Sequence, residues 1–303
     1  MQLNLHRLGI FMTVVECGGF SAAASKLYLS QPSVSHQVRQ LEQSLRTVLI
    51  DRSGSRIRLT PEGEVLLEYA RRVFLLADEA VAAIRRVSGL QTGTLVVGGS
   101  TTVASHLLPP ALAAFRDRYE GIEVGIFAGN AEQVEKRLVD GEIGVAVIAG
   151  EVRAPQLVGR PIMEDRLVLI TPPGHPLASG PEPVQERLVG ERFLLREPGS
   201  STRAQQEELL ERWGLAGDVR TTEIWGSETI KQSVAAGLGV SVVSEHCVEG
   251  ESAQRLLSAR PVASARPIVL AHRRDRLLGP AEQAFIELLQ SMHTWPARLR
   301  AIS

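Results

Sequence analysis

The chain of 303 residues is 44% hydrophobic and 22% charged, which is typical of a globular protein with two domains or one large one. Its two cysteines, Cys17 and Cys247, are far apart and outside any CxxC or CxxH pattern, which argues against a disulfide scaffold and a structural zinc site. The sequence has no signal region and no apolar run of 18 residues, so we expect a cytoplasmic protein without a membrane segment.

Charge is unevenly distributed along the chain. Residues 1–58 carry seven Lys or Arg and three Asp or Glu, a net charge of +4, whereas the whole chain has a formal charge of −1. A basic N-terminal segment is therefore joined to a mildly acidic remainder. The basic segment is where a polyanionic partner is expected to bind.

Three short helices are predicted in the basic segment, and the third has an unusual outer face. Its residues Val34, Val38 and Leu41 follow helical spacing and predict a buried stripe. The opposite face carries amides, hydroxyls, an imidazole and a guanidinium instead of the usual mixture of Glu and Lys. The residues of this face are Gln31, Pro32, Ser35, His36, Arg39 and Gln43. Two short helices joined by a tight turn, the second with a polar outer face, predict a helix-turn-helix.

A β-hairpin is predicted after these helices. Strands over Val48–Arg52 and Arg56–Leu59 flank a Ser-Gly-Ser turn, and their alternation puts the side chains of Arg56 and Arg58 on the solvent face. A hairpin in this place predicts the wing of a winged helix-turn-helix.

A long helix is predicted from Thr60 to about Ser88, with Thr60 as N-cap and Pro61 in the first turn. Apolar residues recur along it at heptad spacing, which predicts an exposed rod that pairs with a second helix. The predicted dimerisation residues are Leu66, Tyr69, Val73, Leu76, Ala80 and Val87. The alternative is a helix that packs on its own domain.

From residue 94 onward, predicted strands and helices alternate. A β-α-β-α-β order over residues 94–150 recurs over residues 192–245, which predicts two α/β halves with parallel strands. Further strands at residues 166–173 and 265–274 and a closing helix at residues 280–292 complete the pattern. We expect a cleft between the halves, where strand C-termini and helix N-termini meet.

Clusters of hydroxyl side chains follow the first strand of each half, at the start of a helix. Because Ser and Thr are the commonest N-caps, capping alone is one explanation. The other is an anion site formed by helix N-termini from both halves, with Asn130 beside it. Arg196 would add a bidentate donor, unless it pairs with a surface carboxylate. The candidate anion-binding residues are Ser100, Thr101, Thr102, Asn130, Arg196, Ser200, Ser201 and Thr202.

The sequence lacks common enzyme motifs. It has no HExxH, GxxxxGK[ST] or GxSxG pattern and its seven histidines are scattered, so we predict no catalytic residue, no metal site and no cofactor. A transport-type solute receptor would share two lobes but would need an export signal and would lack a basic winged head. A purely structural dimer would leave the hydroxyl clusters and wing arginines unexplained.

The segments FSAAASKLYLSQPSVSHQVRQLE and DRSGSRIRLTPEGE resemble the DNA-binding domain of the LysR-type transcriptional regulators. The resemblance extends over the whole chain, because the winged head, long helix and α/β halves follow that family's order. It implies a mainly α winged helix-turn-helix and a two-lobed, periplasmic-binding-protein-like α/β effector domain. The implied domains are residues 1–59, the linker helix 60–89, and residues 90–303 with subdomains of about 94–161 with 267–303 and of 162–266.

The resemblance also implies roles in DNA binding. The outer face of the third helix would contact bases or the adjacent backbone. The first serines of that helix would bind phosphates, and the wing would reach the flanking minor groove. The implied DNA-binding residues are Ser30, Gln31, Pro32, Ser33, Ser35, His36, Arg39, Arg52 and Arg56. The sequence departs from the family at Arg46, where Gly is usual, at Ile50, where Phe is common, and at His36, where Arg or Lys is frequent.

The family's inducer pocket lies between the two lobes, and the hydroxyl-rich segments match its ligand-binding positions. REPGSSTR is similar to the corresponding segment in regulators of sulfur assimilation and autotrophic carbon fixation, with Ser201 where Gly is usual. The implied effector is a sulfur oxyanion or a phosphorylated or carboxylated metabolite.

The sequence therefore predicts a ligand-responsive, DNA-binding transcriptional regulator that is not an enzyme. Paired heads would bind two half-sites of double-stranded DNA, and an anion in the cleft would change oligomer geometry and transcription. The resemblance implies a dimer of dimers, whereas the residues alone support only a homo-oligomer. RNA polymerase is a further candidate partner. The alternative is a regulator of the same fold with an uncharged effector or none.

Overall fold

The computed structural model describes residues 3–51, 57–87, 92–178, 188–248 and 256–292. They belong to two compact units, Met1–Val81 and Ala82–Ser303. The division falls inside the long helix and not before it, because the first turns of that helix pack against the core of the first unit. Within the described ranges, no helix is both long enough and apolar enough to cross a membrane.

The first unit contains three short helices, a two-stranded ribbon and the start of the long helix. Their bounds are α1 Leu5–Glu16, α2 Phe20–Leu27, α3 Gln31–Leu45, β1 Ile50–Asp51, β2 Arg58–Leu59 and α4 Pro61–Val87. Phe11, Val38 and Leu41 are fully buried in the core between α1, α2 and α3. β1 and β2 pair antiparallel. The predicted helix-turn-helix and wing strands are therefore present.

Local hydrogen bonds and backbone geometry fix both ends of α3. Ser30 Oγ accepts from Ser33 N at 3.3 Å, and Pro32 lies in the first turn, where no intrahelical donor is lost. The helix ends at Arg46, whose φ of 55° is in the left-handed region. An L side chain is disfavoured there, which is the physical reason that glycine is usual at this place.

β1 starts two residues later than the strand predicted over Val48–Arg52, and Thr60 accounts for the later start. Its Oγ1 donates to Val48 O at 2.7 Å and accepts from Gly63 N at 3.0 Å, so the chain before β1 is tied to the start of α4. Thr60 therefore caps α4, as the sequence predicts. Residues 52–56 of the hairpin lie outside the described residues.

The second unit alternates strands and helices. Its strands are β3 Gly93–Ser100, β4 Ile122–Gly129, β5 Val145–Ala149, β6 Leu157–Thr171, β7 Arg192–Leu195, β8 Arg220–Glu223, β9 Ser241–Ser244 and β10 Ser258–Arg273. Its helices are α5 Leu108–Arg118, α6 Ala131–Val139, α7 Ser201–Arg212, α8 Ser227–Ala235 and α9 Pro280–Ser291. Short π or 3₁₀ segments lie at Val103–Leu107, Pro176–Ala178 and Glu245–Cys247.

The main sheet has the order β4-β3-β5-β10-β6-β9, and β7 pairs with β8 in a parallel ribbon. β3 is parallel to β4 and β5, as crossover helices predict, while β10 is antiparallel to both β5 and β6. β6 and β10 are 15 and 16 residues long, and the sequence predicts only their apolar second halves. The first half of each strand is mostly exposed or half-buried and pairs with the second half of the other strand, so no hydrophobic run marks it.

Two sets of hydrophobic cores define two lobes within the second unit. The first lobe packs α5, α6 and α9 on β3, β4 and β5, with the rings of Phe115 and Phe285 centred 5.7 Å apart. The second lobe packs α7 and α8 around β7 and β9, with Phe193 fully buried. β6 and β10 contribute to both lobes and so connect them.

Candidate functional site

The outer face of α3 forms a polar surface on the first unit. Two of its predicted DNA-binding residues, Ser33 and Ser35, are half-buried. The exposed ones are Ser30, Gln31, Pro32, His36 and Arg39. Arg39 Nε donates to Ser35 O at 3.3 Å, which holds this guanidinium along the face. The structure thus brings seven of the nine predicted DNA-binding residues onto one surface.

The single acidic residue of α3 is used by the wing. Glu42 Oε1 accepts from Leu49 N at 3.0 Å and from Ile50 N at 3.3 Å, at the start of β1. A carboxylate beside a phosphate backbone would repel it, and this one is engaged elsewhere. The outer face of α3 therefore presents amide, hydroxyl, imidazole and guanidinium groups.

The wing arginines are only partly described. Arg52 and Arg56 lie outside the described residues, so their contacts remain predictions. Arg58 on β2 is exposed, as the predicted alternation requires.

One apolar face of α4 packs inside the first unit. Leu66 and Val73 are partly buried against the core of α1, α2 and α3. At these two predicted dimerisation positions, the helix packs on its own domain. The reason is that the face is shared with Ala70, which is fully buried in the same core.

A second apolar stripe on α4 is open. Val65, Tyr69 and Leu76 are 57%, 56% and 62% exposed, and Ala80 is exposed as well. At 100° per residue these four positions fall within about 60° of one another. The side chain of Val87 lies outside what the structure describes. This open stripe combines three of the predicted dimerisation residues, Tyr69, Leu76 and Ala80, with Val65, which was not predicted, and it remains available to a second helix.

All eight predicted anion-binding residues surround one cavity between the lobes of the second unit. The cavity is small: it has about 10 Å³ of room, enough for one water molecule, and it opens to solvent. It is lined by Ser100, Thr101, Thr102, Asn130, Ala131, Ala149, Arg196, Ser200, Ser201, Thr202 and Arg266. Strand ends and helix starts of both lobes converge here, as the α/β pattern predicts.

Hydrogen bonds join the two lobes beside this cavity. Asn130 Nδ2 donates to Pro198 O at 3.2 Å, and Glu132 N donates to Gly199 O at 3.2 Å. A molecule bound between the lobes would therefore alter contacts that hold them together.

Three of the cavity's polar residues have structural partners in the first lobe, among them Thr101, whose Oγ1 donates to Gly129 O at 3.1 Å. Ser100 Oγ accepts from Ala149 N at 2.9 Å. Asn130 caps α6, since its Oδ1 accepts from Gln133 N at 3.0 Å. Ser100 and Thr101 are thus held within the cavity wall, and Asn130 fixes the start of α6.

The other hydroxyls are not explained by helix capping. Among the described contacts, neither Thr102 nor Ser200 makes a side-chain capping hydrogen bond. Ser201 Oγ and Thr202 Oγ1 instead accept from Arg266 Nη1 at 3.2 and 2.9 Å. The hydroxyl cluster of the second lobe is thus organised around a guanidinium.

Arg196 is bound to a buried carboxylate, and not to a surface one. Its Nε and Nη2 donate to the two carboxylate oxygens of Glu197 at 2.8 and 2.7 Å, and its Nη1 donates to Ser227 Oγ at 2.6 Å. Burial alone would raise the pKa of Glu197, but the hydrogen bonds and charge of Arg196 hold that pKa below its ordinary value. The bidentate donor predicted for an anion is therefore already occupied.

A second buried guanidinium, which the sequence reasoning missed, lines the cavity. Arg266 on β10 is 3% exposed, and its Nε donates to Asp165 Oδ2 at 2.8 Å. Asp165 is fully buried and also accepts from Ser244 Oγ at 2.5 Å. The sequence does contain one signal for this site: a basic residue stands just before the apolar run of β10. A basic side chain that is buried there needs an acidic or hydrogen-bonding partner.

A buried thiol lies next to the cavity wall. Cys247 Sγ is 3.8 Å from Thr102 Oγ1. Burial raises the pKa of the Cys247 thiol above its ordinary value, although Thr102 and the charge of Lys231 act in the opposite direction. A neutral, buried thiol is a poor nucleophile, so its role here is packing.

Two family models match the chain. The LysR substrate binding domain matches residues 88–293, and the bacterial regulatory helix-turn-helix protein of the lysR family matches residues 5–64. A probable RuBisCO transcriptional regulator from Synechocystis sp. is 33% identical over 312 residues, which cover 99% of this chain and 89% of the relative. A RuBisCO operon transcriptional regulator from Allochromatium vinosum is 32% identical, covering 96% of this chain and 97% of the relative.

Solved structures agree with these matches. Full-length OxyR from Pseudomonas aeruginosa superimposes with a TM-score of 0.71 at 25% identity, covering 96% of this chain and 94% of that one. The regulatory domain of Synechocystis CcmR in complex with 2-PG gives a TM-score of 0.61 at 30% identity, covering 66% of this chain and 97% of that one. The chain therefore belongs to the LysR family, as a ligand-responsive, DNA-binding transcriptional regulator with a helix-turn-helix head and a two-lobed effector domain.

Proposed function

We propose that this regulator reads a two-half-site operator with the outer face of α3. The amides, imidazole and guanidinium on this face suit base edges in a major groove, and Ser30 and Ser33 suit phosphate oxygens. The observation that carries the proposal is the exposure of this face together with the engagement of Glu42 by the wing. Arg52 and Arg56 are proposed to reach the flanking minor groove.

Replacing Arg39 with methionine is expected to weaken operator binding by about 1–3 kcal/mol, because a charged contact to DNA is lost while the apolar stem is kept. Fluorescence anisotropy on an operator selected from random-sequence DNA, at several salt concentrations, measures the effect. A salt slope lower by about one identifies a phosphate contact, and relaxed preference at one base identifies a base contact.

Arg116→Met is the matched control, since Arg116 is an exposed arginine of the second unit. Unchanged affinity and unchanged selectivity in Arg39→Met would remove this residue from the DNA-binding set.

We propose that the open stripe on α4 pairs two chains, and that two such dimers form the complete assembly. Heads joined in this way would sit about one helical turn of DNA, or a multiple, apart. We also propose that the assembly contacts RNA polymerase and acts in the cytoplasm, where a regulator of this kind would meet both its operator and the polymerase.

The proposed effector is a small anion held between the two lobes. Hydroxyls from both lobes and the start of α7 face the cavity, and backbone N–H groups at a helix start favour negative charge. The relatives named for RuBisCO and the CcmR domain with 2-PG favour a phosphorylated or carboxylated metabolite of carbon fixation over a sulfur oxyanion. Such a ligand would act by favouring one spacing of the lobes, and through it one arrangement of the paired heads.

Thermal unfolding against sulfate, thiosulfate, inorganic phosphate, a sugar phosphate, small carboxylates and 2-PG tests the effector. A ligand at 100 times its dissociation constant adds about 2.7 kcal/mol of stability, which gives a clear rise in Tm. Thr202→Val is expected to abolish the rise, because the cavity loses a hydroxyl. No rise with any anion, in a protein that still binds DNA, would favour an uncharged effector or none.

A further inference from the structure

The two guanidinium groups of the cavity are used differently. Arg196 meets both carboxylate oxygens of Glu197 and is satisfied on each nitrogen. Arg266 meets the carboxylate of Asp165 through Nε alone. Its Nη2 is buried and has no hydrogen-bond partner in the part of the chain that the structure describes.

An unpaired N–H on a buried cation is costly, so it marks a place where an acceptor belongs. Arg266 is nine-tenths buried or more and lines the cavity between the lobes. A buried charged donor next to a cavity is satisfied best by a charged oxygen, since charge-assisted hydrogen bonds are the strong ones.

The neighbouring hydroxyls complete a set of donors. Ser201 and Thr202 accept from Arg266 Nη1, so each keeps its own hydroxyl hydrogen for another acceptor. Ser201 and Thr202 also open α7, a helix of 12 residues whose N-cap makes no side-chain hydrogen bond within the described contacts. Hydroxyl, guanidinium and backbone donors from different directions suit a tetrahedral oxyanion better than a planar carboxylate.

We propose that Arg266 is the effector-binding cation of this regulator, with Nη2 donating to an oxygen of a phosphate- or sulfate-type group. The inference rests on the anionic effector proposed above and names the residue and the chemical group at that site. Asp165 opposes the incoming anion, and so keeps its affinity lower than Arg266 alone would give.

The position of Arg266 connects this contact to the lobes. Arg266 and Asp165 are directly opposite each other on β10 and β6, the two strands that contribute to both lobes. An anion bound to Nη2 therefore lies beside the two strands that connect the lobes, where it adds a negative charge next to the Arg266–Asp165 pair.

Calorimetric titration of the full chain with inorganic phosphate, sulfate and 2-PG tests the proposal. Arg266→Lys keeps the charge but lacks the planar fork, and is expected to raise the dissociation constant about tenfold or more. Arg160→Lys, on the exposed surface of β6, is the matched control and should bind like the wild type.

The variant Asp165→Asn distinguishes a role of Arg266 in anion binding from a role in structural support alone. Removing the opposing carboxylate is expected to lower the dissociation constant about threefold to tenfold, the opposite sign to Arg266→Lys. A residue pair with a structural role alone would lose affinity in both variants, and that result would overturn the proposal.

The double variant Arg266→Gln with Asp165→Asn guards against loss of folding, because it leaves no buried charge unpaired. It is expected to fold and to lose the anion, and full affinity in this variant would overturn the proposal. If the wild type binds phosphate, sulfate or 2-PG and Arg266→Lys binds it equally well, the inference alone fails. If the wild type binds none of the three, the anionic effector fails, and the inference with it.

Discussion

Replacing Glu197 with alanine is expected to lower the free energy of unfolding of the second unit by about 3–5 kcal/mol, because the buried guanidinium of Arg196 loses its carboxylate. Urea unfolding followed by tryptophan fluorescence measures this loss. The signal reports on the second unit alone, since all three tryptophans of the chain come after residue 82.

Glu207→Ala is the matched control. Glu207 pairs with Arg203 at 2.8 Å, but 49% of its side chain is exposed, so its loss should change stability by less than about 1 kcal/mol. Replacing Arg196 and Glu197 together by methionine should destabilise less than Glu197→Ala, since no lone charge remains buried. Equal losses in Glu197→Ala and Glu207→Ala would contradict the importance of the buried pair.

The same carboxylate gives the second unit a dependence on acid. Burial raises the pKa of Glu197, but Arg196 outweighs burial and holds the pKa below its ordinary value in the folded chain. The stabilisation is therefore complete above the ordinary pKa and is lost as the pH falls through the lowered one. Glu197→Gln should make stability less sensitive to pH in that acidic range.

Replacing Leu76 with glutamate is expected to raise the dissociation constant of the dimer by about 100-fold or more, which corresponds to about 2.7 kcal/mol. In the proposed pair of α4 helices, Leu76 loses apolar contact and two like charges face each other. Sedimentation velocity over a range of protein concentrations measures the change.

Ala77→Glu is the control for added charge. Ala77 is exposed on the same helix but lies about 100° around from Leu76, away from the open stripe. A dimer of wild-type strength in Leu76→Glu would show that the open stripe is not the pairing surface.

Local signals made the head predictable. The cap at Ser30, the spacing of Val34, Val38 and Leu41, and Thr60 before Pro61 all act within a few residues, so the sequence alone reveals α3 and the start of α4. The heptad spacing of α4 is less informative, because it does not distinguish the residues that pack on the first unit from those that stay exposed. Packing against the head decides that Leu66 turns inward while Leu76 stays open.

Partners distant in sequence were not predictable. The eight predicted cavity residues are the exception: they follow strand ends, and the alternating order of strands and helices is enough to predict that strand ends meet in an α/β fold. Arg266 needs Asp165, which is 101 residues away, and that pairing depends on the register of β6 with β10. The sequence likewise shows Arg196 beside Glu197, but not that both are buried.

The sheet order has a consequence for synthesis on the ribosome. β10 is the last strand of the chain, yet it lies between β5 and β6 and contributes to both lobes. Neither lobe has its full set of strands until β10 has left the exit tunnel, whereas the core of the first unit uses residues made much earlier. A growing chain therefore completes its helix-turn-helix unit before its effector domain. Its apolar strands β5 and β6 lack their common neighbour while residues 172–257 are synthesised.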